Sequence, residues 1–314
     1  MTILKERVTA LPIEVENLYQ HTLPDGRIIP YLPRIDGVKP PGMRDNTKAP
    51  NGICERERRE DAISSAQGLT EGKRKLLRAL LERGGSALFG SEDNPDMGIN
   101  YQNVFKKFLD LKEMGEALQE LAHAMDADAA GRGIHIDGIL APEASGVALG
   151  VAFSFLLRDT PPMLSVQKNG APTSLEVAID SYSKGKVDVM SIPLDLLQLL
   201  QNKKPRQEIN LIMCDDFFDS GKMTEAIALL LQLARDQGVN VNLVGVITPI
   251  EKTYTDARNK IATNVGNVPI FSALKVEDMG VHATEGPWMK IEGVDVGLAC
   301  DIQDFTIKAQ KDTE

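Results

Sequence analysis

Beyond about residue 97, short apolar runs alternate along the chain with segments of helical periodicity. The apolar runs have the length of buried β-strands and cover residues 138–142, 163–167, 209–214 and 243–250. The segments whose apolar residues recur every three or four positions, as on one face of a helix, cover residues 111–125, 145–157 and 221–236. This alternation predicts an α/β fold in which a parallel sheet is flanked by helices.

The two ends of the chain have a different pattern. Residues 1–60 are crowded with Pro, Gly, Asp and Asn, which favour turns and loops. One helix is predicted at 70–84, and residues 289–298 are predicted to supply a late pair of strands. Ligands bind at the carboxyl ends of the strands in open α/β sheets, so the residues that follow each strand are the candidates for a functional site.

Composition limits the class of protein. The chain has 314 residues, of which 42% are hydrophobic and 25% charged, as in soluble globular proteins. It lacks the run of about 18 apolar residues that crosses a membrane, and charges interrupt its first apolar run, unlike a secretory signal. Its three cysteines lie far apart, which argues against a disulfide framework or a zinc site and favours a reducing compartment, the cytoplasm.

The charge of the chain limits the kinds of partner it can bind. A formal net charge of −10 opposes non-specific binding to nucleic acid. Acidic residues interrupt the one conspicuous basic cluster, at 54–61, so we interpret it as a solvated helix face. We therefore expect neither a nucleic acid nor a membrane as partner.

The stretch 211–227 carries the clearest chemistry. Its apolar strand ends in two adjacent acids, Asp215 and Asp216, and the turn 219–222 then opens an apolar helix. Free N–H groups at a helix start, with a hydroxyl and a glycine nearby, form an anion pocket suited to a phosphate. The acids would repel that phosphate and suit hydroxyl donors or a positive centre, which together predicts a site for a 5-phosphorylated ribose. The alternative is an acidic N-cap of an ordinary crossover helix.

Three other strand ends carry polar or small residues. Residues 142–146 follow a strand and open a helix, which also favours an anion, unless Gly146 serves only close packing. Lys168 ends the strand that begins at 163, and a polar segment, 178–192, follows it. Lys252 ends the last strand, where its ammonium group would be a donor to an exocyclic oxygen and a poor partner for an exocyclic amine. For both lysines the alternative is a solvated strand end.

These segments, in this order, resemble motifs of the type I phosphoribosyltransferases. Residues 211–224 closely resemble the family's motif for 5-phosphoribosyl 1-pyrophosphate (PRPP), and 138–150 look like the pyrophosphate loop of the adenine and xanthine enzymes. The segment 178–192, with Lys184 and Lys186, resembles the mobile hood loop that closes over PRPP. Residues 99–125 resemble the base hood and first helix of the xanthine enzyme. The purine repressor of some bacteria shares these elements and is not an enzyme.

The resemblance implies a type I phosphoribosyltransferase-like core with a hood and an N-terminal extension. The segments would be a loop-rich extension with one or two helices (1–96), the phosphoribosyltransferase-like domain (97–285) and a C-terminal extension or hood strands and tail (286–314). The implied activity is Mg²⁺-dependent transfer of 5-phosphoribosyl from PRPP to a nucleobase, with release of pyrophosphate. Lys252 favours an oxopurine such as xanthine as acceptor. The implied assembly is a homodimer.

The resemblance also assigns roles to individual residues. The catalytic pair, which would also hold Mg²⁺ directly or through water, is Asp215 and Asp216. The residues implied to bind the 5-phosphate are Asp219, Ser220, Gly221, Lys222, Met223 and Thr224. Those implied to bind pyrophosphate are Glu143, Ala144, Ser145, Gly146 and Lys168. Those implied to contact the base are Lys252 and Asn103, while Trp288 and Phe271 are candidates for base stacking whose alternative is core filling.

Two residues depart from the family pattern. Family members place Thr where this chain has Met223, with Thr224 one position later, and Arg where it has Gln167. These departures sustain the alternative of a non-catalytic, PRPP-binding regulator of nucleotide metabolism. No constellation for a covalent nucleophile is visible in the sequence, and its four histidines are scattered.

Overall fold

The computed structural model describes residues 19–33, 52–54, 56–83, 85–86, 111–143, 145–168, 170, 174–180, 187–205, 207–282, 286–300 and 302–304. Four residues named from the sequence lie outside these ranges: Asn103, Ala144, Lys184 and Lys186.

Helices cover the four segments predicted to be helical, and the described residues form three more. They are α1 (Arg59–Ser65), α2 (Glu71–Arg83), α3 (Leu111–Gly131), α4 (Ser145–Leu156), α5 (Leu194–Lys203), α6 (Lys222–Asp236) and α7 (Ala257–Asn264). Single 3-10 turns occupy Arg56–Arg58 and Thr253–Thr255.

The strands before the central region are β1 (Tyr19–Thr22), β2 (Ile28–Leu32), β3 (Ile53–Cys54) and β4 (Gly85–Ser86). The central strands are β5 (Gly138–Pro142), β6 (Met163–Lys168), β7 (Ser174–Asp180), β8 (Val187–Pro193), β9 (Ile209–Cys214), β10 (Phe217–Phe218) and β11 (Val241–Lys252). The last strands are β12 (Ile270–His282), β13 (Gly286–Ile291), β14 (Gly297–Ala299) and β15 (Ile302–Asp304).

A parallel sheet forms the centre of the molecule. Its strand order is β6-β5-β9-β11-β12, and each of these neighbours is parallel. Alternate residues of β9 enter two different cores: Ile212 packs with helices α2, α3 and α4, and Leu211 packs with α5, α6 and α7. Because helices cover both faces, the central strands are continuously apolar. The predicted α/β fold with helices flanking a parallel sheet is confirmed.

The described residues before 97 pack into the same body. Ile63 of α1 and Leu76 of α2 are fully buried in the core that also contains Met114 of α3. In the basic cluster, Arg58 is exposed as predicted, but Arg59 is buried and its Nη1 donates to the Ala299 carbonyl at 3.2 Å. The solvated-face interpretation is therefore wrong for Arg59, because its charge stabilises the start of α1 against β14.

Several strands were not predicted because pairing, rather than an apolar run, creates them. β1 and β2 form an antiparallel hairpin within the segment predicted to be loops, and β2 pairs with β7. The predicted hood loop 178–192 includes most of β8, which pairs antiparallel with β7. The predicted late strand pair is confirmed as β13 and β14. Trp288 of β13 is fully buried. It therefore fills the core, which was the alternative to stacking on a base.

The described helices also bear on the membrane prediction. None of them is both long enough and apolar enough to cross a lipid bilayer.

Candidate functional site

The acidic pair lies at the carboxyl end of the central strand β9. The Asp215 N–H donates to the Ile247 carbonyl at 3.2 Å, so the backbone stays attached to β11 one residue beyond the strand. The Asp216 N–H donates to Oδ1 of Asp215 at 2.9 Å. Asp216 is buried and Asp215 is partly buried. Two carboxylates are therefore held side by side at the edge where ligands bind in such sheets.

Burial and mutual repulsion change the protonation of this pair. The pKa of Asp215 is raised well above its ordinary value, first by burial and then by the charge of Asp216. The same two acids add to burial in raising the pKa of the neighbouring Cys214 thiol. The strand end thus has more negative charge than its surroundings neutralise, which favours hydroxyl donors or a positive centre as its ligand.

The raised pKa gives a prediction for stability. Protonated Asp215 stabilises the native state, and this contribution is fully present below the ordinary carboxyl pKa and is lost as the pH rises through the raised native pKa. We expect Asp215→Asn to raise the Tm at pH 8 by roughly 2 to 4 °C, or about 1 kcal/mol, because Asn carries no charge. The gain in Tm should shrink as the pH falls toward 4. Thermal unfolding of the wild type and the variant between pH 4 and pH 8 measures this gain, and Asp236→Asn, at an exposed position, is the control. An unchanged or lower Tm at pH 8 would contradict the prediction.

The predicted phosphate loop connects β10 to α6. β10 pairs parallel with β11, the chain turns through Asp219, Ser220 and Gly221, and α6 begins at Lys222. Gly221 has a φ of 78°, and a Cβ there would lie 3.1 Å from Cγ1 of Ile261. Only glycine suits both constraints. Since glycine offers no capping side chain, the first N–H groups of α6 are available to an anion.

The side chains that follow this turn are engaged elsewhere. Thr224 is fully buried and its hydroxyl donates to Sδ of Met213 at 3.3 Å. Met223 packs against the core beneath α6. Lys222 lies with its Nζ 3.9 Å from Oδ2 of Asp180, at the end of β7. The Thr224 hydroxyl and the Met223 side chain therefore point to the core, so the predicted binding of a phosphate by these two residues would have to use their backbone N–H groups.

The second predicted loop lies directly beside the acidic pair. The Glu143 N–H donates to the Val166 carbonyl at 2.9 Å, and the exposed Glu143 carboxylate accepts from the Ser165 hydroxyl at 3.0 Å. Helix α4 begins at Ser145. A Cβ on Gly146 would lie 3.0 Å from the Cys214 carbonyl oxygen. Gly146 thus permits the close packing proposed as the alternative, and this packing brings the 142–146 turn against the end of β9.

Lys168 lies at the base of the β7–β8 hairpin. Its Nζ is 3.2 Å from Oδ2 of Asp188 on β8, and both side chains are partly exposed. The neighbouring residue, Gln167, accepts a hydrogen bond from the Ser191 hydroxyl through its carbonyl at 3.2 Å. The first residues of β6 therefore pair with β5 in the parallel sheet, and its last two residues pair with β8 of the hairpin. This places Lys168 beside the segment that was predicted to close over the ligand.

Lys252 has a partner that the sequence did not predict. Its Nζ lies 2.9 Å from Oδ2 of Asp219 and 4.8 Å from the centroid of the Phe217 ring. The Thr255 hydroxyl donates to the Asp219 carbonyl at 2.5 Å and to the Lys252 carbonyl at 2.9 Å. In this arrangement the ammonium group is directed to the phosphate loop, whereas the sequence predicted a base contact for it.

The partners of the adjacent Glu251 were also not predicted. It is 1% exposed, and its two oxygens accept from Nε and Nη2 of Arg258 at 2.5 and 2.7 Å and from the Ser272 hydroxyl at 2.6 Å. The sequence did contain one signal, since an acid in a phosphate loop or at a buried strand end requires a cationic partner. The spacing along the chain does not identify that partner. Lys252, for example, lies 33 residues after its partner Asp219.

The fold and this edge together define an α/β protein in which a helix start without a side-chain cap lies next to an acidic pair. No protein-family model matches the sequence, and no curated protein matches it either. Similar solved structures are adenine phosphoribosyltransferases. That of Thermoanaerobacter pseudethanolicus is 22% identical and covers 58% of this chain and 91% of its own, with a TM-score of 0.43.

The Saccharomyces cerevisiae and Rhodothermus marinus enzymes are 17% and 18% identical. Each covers 65% of this chain and 98% of its own, with a TM-score of 0.46. They are of the family that the motifs resemble.

Proposed function

We propose that the protein is a phosphoribosyltransferase that transfers 5-phosphoribosyl from PRPP to a purine base and releases pyrophosphate. The observation that supports this most is the contact of Gly146 with the end of β9. It places the residues before α4 against the end of β9, and the chain continues from there through the acidic pair and β10 to the start of α6. A ribose that carries a 5-phosphate and a pyrophosphate requires one anion site on each side of its hydroxyls.

Each part of this edge has a role in the proposed reaction. The 5-phosphate binds to the loop from Asp219 to Gly221 and to the first N–H groups of α6, which orients the ribose. Asp215 and Asp216 accept hydrogen bonds from the ribose hydroxyls and stabilise the positive charge that develops at the anomeric carbon. The turn that includes Glu143 and Gly146, with Lys168, holds the leaving pyrophosphate. Closure of the predicted hood segment, 178–192, would exclude water, which would otherwise hydrolyse PRPP.

Mg²⁺ is part of the proposal, and the acidic pair fits it. Carboxylate oxygens are the protein ligands that Mg²⁺ prefers, and it commonly takes one or two of them together with phosphate oxygens and waters. The raised pKa of Asp215 marks negative charge that a cation would offset. Among the described residues there is no cluster of three or more His, Cys, Asp or Glu side chains that would hold the ion without the substrate. When bound with the substrate, Mg²⁺ neutralises charge on the leaving pyrophosphate.

The acceptor is proposed as a purine, with an oxopurine such as xanthine first and adenine as the alternative. The oxopurine preference depends on Lys252 as donor to an exocyclic oxygen. Because the Lys252 ammonium group is already paired with Asp219, its preference for an oxopurine is weakened. Adenine should therefore be tested alongside the oxopurines.

A non-catalytic PRPP-binding regulator is the second candidate. The observation in its favour is that the hydroxyl of Thr224 is buried against Met213, so the loop departs from the motif of the catalytic family members. The packing of α1 and α2 into the main core gives no separate output module for such a regulator among the described residues.

Incubation of the pure protein with PRPP, Mg²⁺ and each base in turn tests the two candidates. We expect pyrophosphate release with one purine. Release with no base, together with PRPP binding measured by calorimetry, would overturn the transferase and support the regulator.

We propose a cytoplasmic homodimer, with no nucleic acid or membrane as partner. None of the three cysteines, all of which the structure describes, forms a disulfide, which supports a reducing compartment. On α4, Phe155 is 76% exposed and Val151 42% exposed, and this apolar strip is the surface proposed for the dimer contact. Sedimentation velocity of the full chain distinguishes a monomer from a dimer.

A further inference from the structure

The N-terminal hairpin β1–β2 is built into the sheet beside β7. Strand β2 runs parallel to β7, with Tyr31 opposite Ala178. Ile29 of β2 and Ala178 of β7 are buried in the same small core. On the same strand, Nη1 of Arg27 pairs with the carboxylate of Glu176, which is buried. Backbone pairing, apolar contact and charge therefore fix the hairpin to β7.

One side chain of this hairpin is linked to the start of α6. The Tyr31 hydroxyl donates to Oδ1 of Asp180, the last residue of β7. The other oxygen of this carboxylate, Oδ2, lies 3.9 Å from Nζ of Lys222, the first residue of α6. The side chains of Asp180 and Lys222 are 24% and 19% exposed, so water and salt screen their attraction only in part. A single carboxylate thus connects the hairpin to the helix start.

Lys222 occupies an unusual position for a cation. The helix dipole disfavours positive charge at a helix N-terminus and favours an anion there. The next two side chains, those of Met223 and Thr224, are turned to the core. Lys222 therefore supplies the cationic side chain of this first turn, beside the N–H groups proposed to bind the 5-phosphate. A carboxylate that closed on Lys222 would neutralise this cation and repel the phosphate.

The hydrogen bond from Tyr31 acts on that carboxylate. The 3.9 Å between Oδ2 of Asp180 and Nζ of Lys222 is longer than the roughly 2.7 to 3.2 Å of a direct hydrogen bond. The bond from Tyr31 holds Oδ1 on the side of the hairpin and stabilises the charged carboxylate there. Without this bond, the Asp180 side chain would be free to rotate toward Lys222, whose charge attracts it.

We propose that Tyr31 is a positioning residue for the 5-phosphate site: it holds Asp180 back from Lys222, so that the ammonium group can serve the phosphate. The N-terminal hairpin then belongs to the PRPP site, although it lies outside the segments that resemble the family. This inference rests on the proposed function only in assigning the start of α6 to a sugar phosphate. Tyr31 acts through Asp180 and touches neither the substrate nor the reacting atoms.

Binding of ribose 5-phosphate, measured by calorimetry, tests this role without requiring turnover. Tyr31→Phe removes only a hydroxyl and should weaken binding by about three- to tenfold, the effect of one hydrogen bond. The matched control is Tyr19→Phe, since Tyr19 lies opposite Tyr31 on β1 and is 68% exposed. This control should leave the affinity unchanged. Unchanged binding in Tyr31→Phe, or an equal loss in Tyr19→Phe, would overturn the proposal.

Two further variants identify the route of the effect. Asp180→Asn removes the charge that competes with the phosphate and should tighten binding by about threefold. Lys222→Met removes the cation and should weaken binding by about tenfold. In either background Tyr31→Phe should have no further effect, since the three residues are coupled. A loss from Tyr31→Phe that persists in both backgrounds would show that Tyr31 acts by another route and would overturn the proposal.

Kinetics separates this role from a merely structural one. If Tyr31 positions the phosphate site, Tyr31→Phe raises the KM for PRPP and leaves kcat and the KM for the base near their wild-type values. An equal fall in kcat with an unchanged KM for PRPP would contradict the proposal. Should Tyr31→Phe not fold, Asp180→Asn should still tighten the binding of ribose 5-phosphate, and unchanged or weaker binding would then count against the proposal.

The outcomes for the two proposals are distinct. A wild-type protein that binds ribose 5-phosphate but releases no pyrophosphate would overturn the transferase, while the variants would still decide the role of Tyr31. A wild-type protein that does not bind ribose 5-phosphate would overturn both, because the start of α6 would then not be a phosphate site.

Discussion

Asp216→Asn should lower kcat for pyrophosphate release by about a hundred- to a thousandfold, the loss expected when one preorganised electrostatic group is removed from a transition state. Asp216 is buried, and its position is fixed by the hydrogen bond from its N–H to Asp215. Asn keeps the shape of the side chain and one acceptor oxygen but loses the charge that opposes the developing cation at the anomeric carbon. Steady-state kinetics with the base identified by the screen measures the effect.

The matched control for this variant is Asp236→Asn. Asp236 is an exposed residue at the end of α6, and its carboxylate only accepts a hydrogen bond from Gln232 within the same helix. It should leave kcat unchanged. The KM for PRPP should change less than kcat in Asp216→Asn, because the phosphate loop stays intact. Full activity in Asp216→Asn would show that the acidic pair does not stabilise the transition state.

Arg258→Met should lower the free energy of unfolding by about 2 kcal/mol, because it removes the cation from a buried carboxylate while the Arg258 side chain itself is 46% exposed. The Glu251 carboxylate is almost fully buried and receives two hydrogen bonds from the Arg258 guanidinium and one from Ser272. Met fills part of the Arg volume and leaves the carboxylate with one donor. Urea unfolding measures the loss as a lower midpoint at an unchanged slope.

Two further variants test the cause of that loss. Glu251→Gln combined with Arg258→Met removes the buried charge and should recover at least about 1 kcal/mol relative to Arg258→Met alone, because the residues are coupled. Lys75→Met breaks a more exposed pair with Glu116 and should cost less than about 1 kcal/mol. Equal losses in Arg258→Met and Lys75→Met would contradict the role given to burial.

The strands that the sequence predicted best are the ones buried on both faces. Residues 138–142 and 209–214 match β5 and β9 at both ends, because a strand between two helical layers must be apolar throughout. β7 and β8 were not predicted as strands. Their polar residues face solvent or partners such as Lys168, and the hairpin is stabilised by pairing with β6 and β2, which no local pattern reports.

The features of the candidate site could also be predicted only in part. The acids at 215 and 216, the turn at 219–221 and the small residues at 142–146 were visible in the sequence because each follows an apolar run and precedes a helix. That Gly146 contacts the end of β9 follows from the order of the strands. The exclusion of the Thr224 hydroxyl from the loop follows from the phase of α6, which turns that residue toward the core.

By itself, then, the sequence determined the α/β class, the central strands and the residues at their carboxyl ends, since all of these depend on local periodicity and on the local chemistry of a strand–turn–helix. Only the tertiary structure decided the partners of the charged groups. Lys252 pairs with Asp219, Arg258 with Glu251 and Arg59 with the Ala299 carbonyl. A charge that is removed from water must find a partner wherever the fold brings one within about 3 to 4 Å, and that distance in space has no counterpart in the spacing along the chain.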